Sequence, residues 1–100
     1  MITNKTIKEI CSQVEEILFI EPNLILKKCR YREVVYARWM IQAYLREEKE
    51  LTLYAIGRLW NTHHTNVIYA MEQHKLMRQQ DNSFVKNDDK IRKYLIEKFI

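Results

Sequence analysis

The sequence predicts an all-α protein: one domain over residues 1–100, folded as a compact bundle of about six helices that contains a helix-turn-helix. Three observations predict it. The chain holds one Gly and one Pro in 100 residues, too few for the closely spaced turns of a sandwich or barrel. Its apolar residues return at three- and four-residue steps, the period of a helix with one buried face. Hydrophobic residues make up 47% of the chain and charged residues 30%, enough for one core and too apolar for a disordered chain.

Thr6 and Glu9 have the capping-box spacing and predict a helix start. The stripe Ile7, Ile10, Cys11, Val14, Ile17 and Leu18 follows, running to about Phe19. Pro22 stops that helix and can open another, so Leu24, Ile25 and Leu26 predict a short second helix. The stretch Lys27 to Arg32 has no apolar period and reads as a loop. From Glu33 the period returns through Val34, Ala37, Met40, Ile41, Tyr44 and Leu45, a long helix ending near Glu48. Thr52 is an N-cap for a short helix carrying Leu53, Ile56, Leu59 and Trp60, which Asn61 and Thr62 break. The next helix begins at about His64, with Val67, Ala70, Met71, His74 and Met77 inward, giving a helix-turn-helix over about residues 52–78. Residues 79–86 are polar and predict a connection. Asn87, Asp88 and Asp89 then predict the start of a last helix bearing Ile91, Tyr94, Leu95 and Phe99.

The formal charge is +4, a mild excess, but it is unevenly spread. Between Lys27 and Arg46 stand six basic residues (Lys27, Lys28, Arg30, Arg32, Arg38 and Arg46) against one acid, Glu33. Such a window attracts a polyanion. Other functions find no support. There is no Gly-rich phosphate loop for a nucleotide. Cys11 and Cys29 lack metal-type spacing and read as reduced thiols. Adjacent His63 and His64 point in different directions on a helix, and His74 lies too far along to complete a chelate, so neither metal nor cofactor is expected. Glu47, Glu48 and Glu50 read as a solvated helix end, and no paired acid and base suggests an enzyme. The polar N-terminus, with Thr3, Asn4 and Lys5, lacks a signal peptide's apolar run, and no stretch is apolar enough to span a membrane. A cytosolic protein is expected.

From Leu53 the chain reads LYAIGRLWNTHHTNVIYAM. Ile56 and Gly57 form a pair, Trp60 follows three residues after Gly57, and a short turn leads to His64, Thr65, Val67, Ile68 and Ala70. This pattern resembles the C-terminal DNA-binding domain of the bacterial replication initiator DnaA, a Trp-repressor-like helix-turn-helix. The likeness extends over residues 7–99 in the order of elements, with Arg38 and Met40 in the long helix. The ATPase module that precedes this domain in the initiator has no counterpart in the sequence.

The resemblance implies sequence-specific binding of double-stranded DNA, with a role in replication initiation or its regulation and replication-initiation proteins as further partners. It implies base contacts in the major groove from His63, His64, Thr65 and Asn66, and an Arg in the adjacent minor groove at Arg30. Backbone or supporting contacts fall on Lys28, Arg32, Arg38, Arg46, Thr52, Tyr54 and Thr62. Gly57 would let the first helix of the motif approach another backbone closely. Two departures stand out. The turn is one residue shorter than in the family, with Thr62 in place of a basic residue and His63 in place of an acid. An acid accepts from cytosine N4, which a histidine cannot do as a charged acceptor, so the initiator's own recognition sequence is not expected. The altered turn also leaves a rival reading open, a helix-turn-helix scaffold that contacts protein or regulates transcription. Trp39, Trp60 and Tyr44 could stack on unpaired bases, but their helical spacing favours the core, with Trp39 the most exposed. His74 reads as a partly buried helix residue.

Overall fold

Thr3 starts the first helix. Its Oγ1 accepts the Thr6 backbone N–H at 3.1 Å, so α1 runs Asn4–Leu18 in the computed structural model, which describes residues 2–99. The expected Thr6–Glu9 capping box is thus replaced by a cap three residues earlier, with Thr6 inside the first turn. The helix ends on Phe19 in the left-handed region (φ 58°), where the Ile20 N–H reaches back to the Glu15 carbonyl at 2.8 Å.

The short helix expected at Leu24–Leu26 does not form. The buried Glu15 carboxylate accepts the backbone N–H groups of Asn23 and Ile25, both at 3.1 Å, while Asn23 adopts φ 71° after Pro22. A side chain satisfies the donors that a helical turn would use, and the chain turns instead. The described residues therefore form five helices where about six were expected.

After the loop, α2 spans Arg32–Glu47, close to the predicted limits. It is the central helix, with eight buried residues from Val34 to Leu45, and it packs on the three helices that follow. These are α3 (Leu53–Leu59), α4 (His64–Gln80) and α5 (Asn82–Lys98). Tyr44 lies wholly inside and donates its hydroxyl to the Leu95 carbonyl at 3.3 Å, as a buried phenol must. The same buried core holds Ile10, Val14, Ile41, Leu45, Ile56, Val67 and Leu95, each contributing roughly 1.5–3 kcal/mol by burial.

The polar connection expected over residues 79–86 shrinks to Asp81 alone. Its N–H closes α4 on the Met77 carbonyl at 2.9 Å, and its carboxylate caps α5 by accepting the Phe84 N–H at 3.1 Å. The polarity of Gln79, Gln80, Asn82 and Ser83 marks solvent-facing helix, and Phe84 is already core. Asp88, expected near a helix start, is buried inside α5. Its Oδ2 pairs with His74 Nε2 at 2.8 Å and Arg78 Nη1 at 2.7 Å, joining α5 to α4. His74 is correspondingly buried.

Candidate nucleic-acid interface

Thr52 caps α3 as expected, its hydroxyl accepting the Ala55 N–H at 3.0 Å. The helix ends in a Schellman turn. Asn61 takes φ 51°, the Thr62 N–H donates to the Gly57 carbonyl at 2.8 Å, and the Asn61 N–H donates to the Arg58 carbonyl at 3.1 Å. Asn is one of the few residues besides Gly that adopts this backbone cheaply. The turn folds directly over Gly57, so the short sequence from Trp60 to His63 suffices to redirect the chain into α4.

The basic loop is fastened to this motif through one carbonyl. Ile25 O accepts both Arg38 Nε at 3.1 Å and Trp60 Nε1 at 3.0 Å. Arg38 Nη2 also donates to the carbonyls of Lys27 at 2.7 Å and Cys29 at 3.4 Å. Burial pushes the Arg38 guanidinium below its usual pKa, opposed by the neighbouring thiols Cys29 and Cys11. Burial likewise pushes the Cys11 thiol up to about 12, which leaves it an inert core group. Loop, α2 and turn thus enclose an open groove of about 790 Å³. Lys27, Lys28 and Arg30 stand on one side, Thr62, Asn66 and Tyr69 on the other, and Trp39 is in the wall.

At the start of α4 three rings are packed together. His64 lies on Tyr54 with centroids 4.1 Å apart and against His63 at 4.3 Å. His63 is the N-cap: its Nδ1 accepts the Thr65 backbone N–H at 3.2 Å and meets the Thr65 hydroxyl at 2.8 Å. Asn66 donates its amide to the Thr62 hydroxyl at 2.5 Å, bracing the same turn.

The residues that build the short capped helix, its tight turn over a glycine, the longer helix and the basic loop beside it fall within the span of a known family. The model described as bacterial DnaA protein helix-turn-helix matches residues 7–73. The chain belongs to this family. No curated protein and no solved structure matches the chain.

Within the DnaA helix-turn-helix frame, the expected contact residues fall into three groups. Lys28, Arg30, Arg38, Thr62 and Asn66 line the groove together. His63, His64, Thr65 and Tyr54 gather at the tip of α4 and the start of α3. Arg32, Arg46 and Thr52 lie outside the groove. Arg32 is exposed at the first turn of α2, Arg46 donates to the Leu51 carbonyl at 3.0 Å, and Thr52 is occupied as a cap. Arg38 holds the loop's carbonyls, so its main engagement is inside the protein. The sequence gives no sign of two further residues. Tyr69, 56% exposed, meets Trp39 edge-on with centroids 6.3 Å apart and forms the outer lip of the groove. Glu15 fixes the approach to the basic loop from a different helix, and no local pattern reveals it.

Proposed function

We propose that this protein binds duplex DNA sequence-specifically, with the start of α4 in the major groove and the basic loop, led by Arg30, in the adjacent minor groove. The observation that carries the reading is the groove of about 790 Å³ between that loop and α4. In a duplex, one phosphate strand separates the major from the minor groove. Elements that enter both must straddle it, and this groove gives the strand a channel lined by Lys27, Lys28 and Arg30. His63, His64, Thr65 and Asn66 then face base edges, while Arg32 and Arg46 contact phosphate. Family membership supports DNA binding, and it favours a process in which DnaA-type recognition is used: replication initiation or its regulation, with initiation proteins as further partners.

The test is selection of bound sequences from a random duplex pool, followed by titration of one selected and one scrambled duplex. His64→Ala and Thr65→Ala should weaken binding to the selected duplex far more than to the scrambled one. Arg32→Ala should weaken both alike, because a phosphate carries no sequence. Equal losses on both duplexes for His64→Ala would overturn base reading.

Ile68, Tyr69 and Leu76, exposed along α4, favour a second reading in which this helix contacts a protein. A binding constant indifferent to salt would select it.

A further inference from the structure

The cap of α4 settles which proton His63 carries. A backbone N–H can only donate, so the Thr65 N–H at 3.2 Å requires an acceptor at Nδ1, and the single ring proton must sit on Nε2. The ring itself is held. His64 packs against it at a tilt, with centroids 4.3 Å apart, and is in turn backed by Tyr54 at 4.1 Å, so the imidazole is braced from one side as well as set in tautomer. His63 is exposed, and Nε2 finds no partner among the described residues.

We infer that His63 reads the duplex as a preset hydrogen-bond donor, so that the base it faces must offer an acceptor in the major groove, guanine foremost, while cytosine is rejected. This rests on the duplex-binding reading above and adds the chemistry of one base position to it. In the major groove guanine offers two acceptors, N7 and O6, and thymine offers O4. Adenine mixes N7 with its amino group, and cytosine presents only its amino donor. A donor facing that amino group leaves two donors opposed and both desolvated without a partner. His64, held between two rings, serves as a positioning residue for this contact.

The decisive variant is His63→Asp. Asp is among the best N-caps, so α4 keeps its start, yet its carboxylate offers only acceptors. Selection from a random duplex pool with the full chain, before and after the substitution, should leave all positions but one unchanged. At that one, guanine or thymine should give way to cytosine or adenine, with a preference on the order of tenfold in each direction. His63→Asn, whose Oδ1 is taken by the cap and whose amide then faces the base as a donor, should keep the preference for guanine or thymine. The added negative charge will weaken binding overall, so preferences are compared at reduced salt. Circular dichroism confirms that the helices are retained. Duplex binding with the same base preference in the Asp variant would overturn this inference alone. Failure of the unaltered protein to bind any duplex would overturn it together with the DNA-binding reading.

Discussion

A Cβ placed on Gly57 would stand 2.7 Å from the carbonyl oxygen of Thr62. The glycine lies in an ordinary helix, so its role is spatial: the turn of the motif crosses the face of α3 where a side chain would project. That oxygen belongs to backbone, and the same residue's N–H is bonded to the Gly57 carbonyl at 2.8 Å, so it cannot move aside cheaply. Gly57→Ala gains about 1 kcal/mol in helix propensity. Overpacking against fixed backbone costs about 1–3 kcal/mol, and the displaced turn loses its hydrogen bonds as well. The clash wins. Thermal melts should place the variant roughly 5–10 °C below the parent. An increase in Tm would show that the turn yields.

Arg38 and Arg30 look alike in the sequence and should behave differently. Arg38 donates to three loop carbonyls from a half-buried position, whereas Arg30 is exposed. Arg38→Ala should therefore lower stability by about 1–3 kcal/mol and loosen the basic loop, with DNA affinity falling as a consequence. Arg30→Ala should change stability by less than about 0.5 kcal/mol while weakening DNA binding by about 1–3 kcal/mol. Urea titrations beside DNA titrations separate the two. Equal stability for both variants would refute the loop-anchoring role.

Trp60 offers a milder test of the same junction. Trp60→Phe keeps an aromatic ring and removes only the N–H that meets the Ile25 carbonyl. Arg38 still satisfies that carbonyl, so the expected loss is about 0.5–1.5 kcal/mol by urea denaturation. A loss above about 3 kcal/mol would mean that ring packing, and not the hydrogen bond, dominates.

Salt dependence measures the interface. Lys27, Lys28, Arg30, Arg32 and Arg46 are exposed, and Arg38 is occupied internally. Four to five phosphate contacts from this set predict a slope of log K against log[salt] of roughly −4. A slope near zero would favour the protein-contact reading.

The His74–Asp88–Arg78 cluster predicts an acid-sensitive fold. Burial alone would push the Asp88 carboxyl up, but the hydrogen bond and charge of His74, then Arg78 and Arg92, hold it below the usual carboxylate value. A carboxyl lowered on folding contributes stability above its unfolded value, about 3.9, and that contribution is lost as pH falls through the lower folded value. Asp88→Asn should cost about 1.5–3 kcal/mol at pH 7. It should also flatten the decline in Tm between about pH 5 and pH 2. An unchanged acid profile would place the sensitivity elsewhere.

The helical class, the limits of α2 and α3, the cap at Thr52 and the position of the turn were legible along the chain. These are governed by the helical period and by bonds between residues three to five apart, which a linear reading can follow. The fates of Leu24–Leu26, of Arg38 and of Asp88 were set by packing. The first became a turn because Glu15, eight to ten residues away, took its backbone donors. Arg38 became an anchor because three loop carbonyls came within its reach. Asp88, with capping residues beside it, became the buried partner of His74 fourteen residues back. A polar or charged residue carries the same hydrogen-bonding capacity in every setting. Whether water, a backbone group or a ligand satisfies it depends on what packing brings alongside, and packing joins residues that the chain keeps apart.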